Sequence, residues 1–141
     1  MNRLIIIGAS GHGKVVADVA SRCEYTDIVF LDNDSSIKSC AGYPVLGPDT
    51  MTADLEGDVF IAVGSADIRE KLMERDVGRV FPTLIHPDAV ISDDVEIGYG
   101  SVVMAGVVIN VGTRIGRGVI VNTSSSIDHD CLIDNFCHIS V

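Results

Sequence analysis

The chain has 141 residues, enough for one ordinary domain or two small ones. Its formal charge of −10, from 20 acidic against 10 basic residues, argues against a nucleic-acid or anionic-membrane surface, because both need clustered Lys and Arg. Apolar residues make up 47% and can supply a real core, while the low aromatic content, 5%, suits a core of Val, Ile and Gly.

In chain order, residues 4–7 read as a buried parallel strand followed by the glycine-rich turn Gly8-Ala9-Ser10-Gly11-His12-Gly13. That apolar run is too short for a secretory signal or a membrane span, so a cytoplasmic protein is expected. Residues 13–22 read as an amphipathic helix with Val15, Val16, Val19 and Ala20 inward. A second strand, 25–31, ends in Asp32-Asn33-Asp34, and a looser stretch over 35–48 contains a possible short strand at 43–46. Residues 58–63 form a third strand closed by Gly64. Residues 66–75 read as a helix with Ile68 and Leu72 inward, and 79–85 as a last strand. Strand and helix alternate, so residues 1–84 are expected to form a small α/β, Rossmann-like domain with a parallel sheet.

Ligands of such sheets bind at the carboxyl ends of the strands. Three polar clusters fall there: 8–13, 32–34 and 64–67. Glycines let backbone amides approach a phosphate at a helix N-terminus, and an acid ending the second strand can hold a ribose. The order Gly8-x-x-Gly11-x-Gly13 reverses the dinucleotide fingerprint, and the domain is only one mononucleotide half. A nucleotide with one appended group therefore suits it better than a nicotinamide or flavin. The bland alternative is a tight turn with no ligand, against which His12 stands, an imidazole with no obvious packing role there.

From Ala89 onward the period changes. Aliphatic residues recur every sixth position, at Ile91, Ile97, Val103, Ile109, Ile115, Val121, Ile127, Ile133 and Ile139. Two residues before each sits a small or β-branched side chain, Cys131 and Cys137 among them, for which packing is the favoured role over redox or metal chemistry. A period of six is the mark of a hexapeptide β-helix, with three hexads to a coil. Residues 85–141 should thus hold about three coils. The sequence stops inside a hexad with no atypical capping repeat, so an incomplete β-helix, the front of a longer protein, is expected.

The chemistry-bearing segment of that region is Asn122-Thr123-Ser124-Ser125-Ser126-Ile127-Asp128-His129-Asp130-Cys131. An imidazole titrating near neutrality is the usual general base, and a carboxylate neighbour raises its basicity. Successive strand residues point to opposite faces, so Asp130 reaches His129 only if a corner breaks the alternation. A solvated surface histidine is the competing reading. His138 lies nine residues on, half a coil, so the two histidines should face opposite sides of one subunit. A γ-carbonic-anhydrase-like zinc site using His86, His129 and His138 would need three converging ligands, and this spacing separates two of them. No metal is expected.

Taken together, these residues resemble the sugar acetyltransferases of the NeuD/PglD type, which acetylate sialic acids or UDP-linked amino sugars. The resemblance spans the whole chain. It rests on Ile5 through Gly13, Phe30-Leu31-Asp32-Asn33, Ile61-Ala62-Val63-Gly64 with Arg69, Ile109-Asn110, the segment Asn122 to Asp130, and His138-Ile139-Ser140. It implies a left-handed parallel β-helix, a homotrimer, and acetyl-CoA as co-substrate bound between subunits. By position, His129 looks like the general base and Asp130 its partner, where relatives carry Glu. His138 looks like an acetyl-CoA contact. Ser10, Gly11, His12, Asp32, Asn33 and Gly64 look like contacts to a UDP-sugar or related substrate. The family's later coils, which supply an oxyanion-stabilising amide and most of the acetyl-CoA groove, lie beyond these residues. The expected function is acetyl-CoA-dependent acetylation of a nucleotide-activated amino sugar or sialic-acid-type sugar in surface glycan biosynthesis, at an amine or a hydroxyl. The alternative is a non-enzymatic sugar-nucleotide-binding fragment.

Overall fold

The computed structural model describes residues 2–141. Packing divides the chain into two units, Met1–Pro82 and Thr83–Val141. The boundary has a local cause. The Thr83 hydroxyl donates to Gly98 O at 2.9 Å and Leu84 N–H to Ser101 O at 2.9 Å, so residues 83 and 84 already belong to the first coil.

The first unit runs β1 (Arg3–Ile7), α1 (Gly11–Arg22), β2 (Asp27–Leu31), β3 (Ser39–Cys40), β4 (Tyr43–Pro44), a 3₁₀ turn (Asp49–Asp54), β5 (Asp58–Ile61) and α2 (Ala66–Arg75). A three-stranded parallel sheet has the order β2-β1-β5, with Ile6 paired to both Phe30 and Phe60. Its strands are buried almost throughout, as continuous apolar runs in a parallel sheet should be. The pair β3–β4 is a small antiparallel hairpin at the side.

Four expectations for this unit are corrected. Helix α1 begins at Gly11, two residues early, because Ser10 caps it: its Oγ accepts from Gly13 N–H at 3.5 Å. Its inward face is Gly13, Val16, Ala17, Val19 and Ala20, while Val15 is 40% exposed. Gly13 explains the rotation: a Cβ there would overlap Gly8 O and come within 3.1 Å of the Phe30 ring, so the helix approaches the sheet along its smallest residues. On α2 the buried residues are Arg69 and Met73, and Ile68 is 47% exposed. The expected strand 79–85 shrinks to Leu84–Ile85; Val80 only lends its carbonyl to Val59 N–H at 2.9 Å and is itself 62% exposed.

The second unit is a parallel β-helix of two-residue strands: β6 (Leu84–Ile85), β7 (Val90–Ile91), β8 (Glu96–Ile97), β9 (Val102–Val103), β10 (Val108–Ile109), β11 (Arg114–Ile115), β12 (Ile120–Val121), β13 (Ser126–Ile127), β14 (Leu132–Ile133) and β15 (His138–Ile139). They stack as β7-β10-β13, β8-β11-β14 and β6-β9-β12-β15. From β7 to β15 the second residue of each strand points inward and meets its equivalents one coil away, as in Ile91–Ile109–Ile127. Val103, Ile109, Ile115, Val121 and Ile127 are buried, with Val107 and Val119 from the small positions between them. Burying each such side chain contributes roughly 1.5–3 kcal/mol, which two-residue strands need because each forms so few ladder hydrogen bonds.

Corners are made by left-handed residues. Gly100, Gly106, Gly112 and Gly118 have φ between 65° and 80°. One coil beyond the last three of these, the same conformation is held by Ser124, Asp130 and Phe136, with φ of 60°, 55° and 61°. A left-handed non-glycine residue costs about 1–2 kcal/mol, less for Asp. The last described coil therefore carries backbone strain that the earlier one avoids with glycine.

Candidate active site

In the first unit the loop after β1 is shaped from below. Gly8 has φ 111°, and a Cβ on it would overlap Ala62 O, so β1 and β5 close on each other there. Ser10, Gly11 and His12 then lie at the cap and first turn of α1, where the helix dipole favours an anion. Asp32 ties this loop to the end of β2: Oδ2 accepts from Ala9 N–H and Oδ1 from Asp34 N–H, each at 2.8 Å. Its first job is thus to hold the loop. Asp34 in turn accepts from the Ser36 hydroxyl and N–H, which holds its carboxyl below the usual range.

Asn33 is fixed by a residue absent from the sequence expectation. Its Nδ2 donates to Asp49 Oδ2 at 3.0 Å, and its Oδ1 accepts from Asp49 N–H at 2.9 Å. Asp49 is held by Arg75, whose Nη1 lies 2.7 Å from Oδ1. Gly64 is exposed, and a Cβ there would meet nothing, so no crowding by neighbours requires glycine. Its carbonyl and that of Val63 accept from buried Arg69 Nη1 at 2.8 and 3.0 Å.

Two cavities flank Asp32 and Asn33. One, of about 320 Å³, is bounded by Ile37, Lys38 and Val45 among others. The second, of about 230 Å³, lies at the carboxyl ends of β1, β2 and β5 and includes Gly8, Asp49, Val63, Ile68 and Leu72. Ile68 and Leu72 are therefore cavity wall rather than core. With β1 central, this is where the strand order reverses, the usual ligand crevice of an open α/β sheet. The sequence expectation passed over Lys38 and Asp49, since nothing local marks either.

In the second unit, the left-handed Asp130 is the broken alternation that His129 needs. It turns the carboxylate back so that Oδ2 lies 2.8 Å from His129 Nδ1. A carboxylate can only accept, so Nδ1 carries the proton and Nε2 presents a lone pair. Asp128 Oδ1 accepts from His129 N–H at 2.7 Å. The His129 pKa is raised, first by the bond to Asp130, then by the charges of Asp128 and Asp130. The pair is exposed, at 66% and 74%.

His138 is the outward residue of β15, and its Nε2 lies 3.2 Å from Asn122 Nδ2. Asn122 Oδ1 already accepts from Thr123 N–H at 2.8 Å, so the amide is oriented with its NH₂ toward the imidazole. His138 Nε2 is then the acceptor and Nδ1 the protonated nitrogen. Asn122 belongs to the chemistry-bearing segment 122–131, but its partner His138 follows only from the stacking of the coils. His129 sits at the corner between the β13 and β14 stacks, opposite the face that carries His138. His86 lies in the first coil, buried, with Nδ1 accepting from Asp88 N–H at 3.0 Å. Among the described residues no group of three or more His, Cys, Asp or Glu could hold a metal ion.

These features define a class: a hexapeptide-repeat β-helix carrying an exposed histidine–carboxylate pair, joined to a small Rossmann-like unit. Comparison with known proteins places the chain within that class. The PglD N-terminal domain matches residues 3–75. The UDP-N-acetylbacillosamine N-acetyltransferase of Bacillus subtilis (strain 168) is 36% identical over 114 residues, 74% of this chain and 52% of that protein. Among solved structures, the acetyltransferase domain of PglB from Neisseria gonorrhoeae FA1090 is 46% identical with a TM-score of 0.93, covering 99% of this chain and 71% of that one. PerB from Caulobacter crescentus, in complex with CoA and GDP-perosamine, is 36% identical with a TM-score of 0.88, covering 98% and 68%. The chain belongs to the PglD family of sugar acetyltransferases. It spans about half the length of the curated relative it matches, 52%.

Proposed function

We propose that the protein transfers the acetyl group of acetyl-CoA to a nucleotide-activated amino sugar, with His129 as general base. The observation that carries this reading is the His129–Asp130 pair, in which the carboxylate fixes the proton on Nδ1 and leaves an exposed Nε2 lone pair. The relatives support it. The Neisseria domain also has a structure with acetyl coenzyme A, and the Caulobacter protein one with CoA and GDP-perosamine. An amine acceptor is favoured over a hydroxyl because the relatives' names specify N-acetylation.

Acetyl-CoA, when bound, supplies the acetyl group as an activated thioester. As the acceptor nitrogen attacks, His129 Nε2 takes its proton, and Asp130 and Asp128 stabilise the imidazolium. The same proton can then pass to the departing thiolate. His138, with Nδ1–H as its donor, is assigned to acetyl-CoA. The α1 N-terminus at Ser10, Gly11 and His12, with Asp32, Asn33 and Gly64, is assigned to the nucleotide sugar. Lys38 offers a cation to its phosphates. His129 and His138 occupy opposed parts of the coil, so one site needs them from different copies, as a threefold trimer allows. Val90 and Val108, exposed side by side on one stack, offer an apolar surface for that association. No described helix is long and apolar enough to cross a membrane. We place the protein in the cytoplasm and its product in surface glycan synthesis.

The test is steady-state acetyl transfer to UDP- and GDP-linked amino sugars, beside calorimetric binding of the same sugars. His129→Ala should lower turnover by ~10²–10⁴-fold while leaving sugar binding within about threefold. Mixing His129→Ala with His138→Ala subunits should regenerate part of the lost activity. Turnover by His129→Ala within about threefold of the parent would remove the base from the mechanism.

A further inference from the structure

The corner that delivers Asp130 is built on the residue one coil earlier. Gly112 and Asp130 occupy equivalent left-handed positions, with φ of 80° and 55°. The Asp130 N–H donates to Val111 O at 2.9 Å, which seats it directly on the Gly112 corner. A Cβ on Gly112 would overlap Asp130 Oδ1, the carboxylate oxygen that does not touch His129. The Gly112 N–H is itself held by the Asp94 carboxylate, at 3.0 Å to Oδ2. Gly112 is thus pinned from one side and overlaid by Asp130 on the other.

We propose that Gly112 is a positioning residue for the His129–Asp130 pair: by having no side chain, it leaves the space in which the Asp130 carboxylate lies against the imidazole. A methyl group at this corner displaces that carboxylate, and His129 loses the acceptor that fixes its Nδ1 proton. The consequence for rate rests on the reading of His129 as general base, whereas the packing relation does not. The neighbouring corner supplies a matched control. Gly106 has nearly the same φ, 73°, and a Cβ on it would come 2.8 Å from Ser124 Oγ, which has no part in the pair. The charged groups acting on His129 are Asp128 and Asp130 on its own turn; two coils below in the same corner column stand Asp93 and Asp94, and Arg114 donates Nη1 to Asp94 O and pairs with Glu96, each at 3.3 Å.

The experiment is an NMR titration of the His129 imidazole in the parent, Gly112→Ala, Gly106→Ala, Asp130→Ala and the Gly112→Ala/Asp130→Ala double variant. The raised His129 midpoint should fall in Gly112→Ala toward that of Asp130→Ala, and the double variant should fall no further. Gly106→Ala should titrate like the parent. An unchanged midpoint in Gly112→Ala, or an equal fall in Gly106→Ala, overturns the proposal. Should Gly112→Ala fail to fold, thermal melting of Gly112→Ala/Asp130→Gly decides. Removing the obstructing carboxylate should restore a cooperative transition, and its absence would show that space for Asp130 is not what Gly112 provides. None of these readouts involves turnover, so a parent protein without acetyl transfer would count against the proposed function and leave this inference standing.

Discussion

In the first unit the candidate ligand residues sit on loops beyond β1, β2 and β5. In the second they sit at a corner and on a face of a stack whose strands are two residues long. The loops are held by side chains reaching across sequence: Asp32 to Ala9, Asn33 to Asp49, Arg69 to Gly64. The corner is held by the coil beneath it, since Asp130, Ser124 and Phe136 each rest their N–H on a carbonyl of the preceding coil. A loop site is therefore tuned by polar partners, and a coil site by what the neighbouring coil omits. Each substitution below sets one of these two kinds of support against the other.

The largest effect is expected where stacking itself is broken. Ile109 is 1% exposed and lies between Ile91 and Ile127 in the column of inward residues. Ile109→Ala should cost about 2–5 kcal/mol of stability, because a stack whose strands have two residues has little freedom to collapse around the hole. Urea denaturation of the β-helix signal measures it. A loss under about 1 kcal/mol would mean the column is not the unit's main support.

A smaller effect, on chemistry rather than folding, is expected at the corner. Asp130 is the first cause of the raised His129 pKa, so Asp130→Asn should lower it. The sign follows directly: the base form of His129 then persists to lower pH, and the rising limb of rate against pH moves toward acid. The plateau should fall by about tenfold, short of the loss from removing the base itself, because an amide stabilises imidazolium poorly. A limb that stays in place would detach Asp130 from the titration.

What could be read in advance differs between the units for the same reason. Each hexad position repeats one environment, so the period alone assigns Ile91 through Ile139 inward, and the strands pair as that period requires. The inward face of α1 was rotated because 3.6-residue periodicity could not weigh Gly13 and Ala17 against Val15; closeness to Phe30 settled it. Ile68 and Leu72 looked like core because apolar residues at helical spacing line a ligand cavity as readily as they fill an interior. The approach of Asp130 to His129 depends on one φ of 55°; the glycine at 112 marks the same corner one coil earlier, but not where a carboxylate placed there would point. The Asn33–Asp49 pair closes across sixteen residues that include the β3–β4 hairpin, and it left no local trace.

That pair carries the smallest prediction. Asp49 meets Asn33 through two reciprocal hydrogen bonds, one of which uses the Asp49 backbone N–H and survives any substitution there. Asp49→Ala therefore removes only the bond from Asn33 Nδ2 and the anchor from Arg75, whose guanidinium keeps its two bonds to Asp76. A single polar contact contributes about 0.5–1.5 kcal/mol, so nucleotide-sugar affinity should weaken by up to about tenfold. Turnover at saturating sugar should not change, because Asn33 and His129 lie in different units. Asp49→Asn, which can still accept from Nδ2 through its amide oxygen, should recover most of the affinity. A general loss of folding would lower both parameters in both variants, whereas a fixed Asn33 predicts a change in KM alone, reversed by the conservative substitution. An unchanged KM in Asp49→Ala would mean that Asn33 needs no such support to meet the nucleotide sugar.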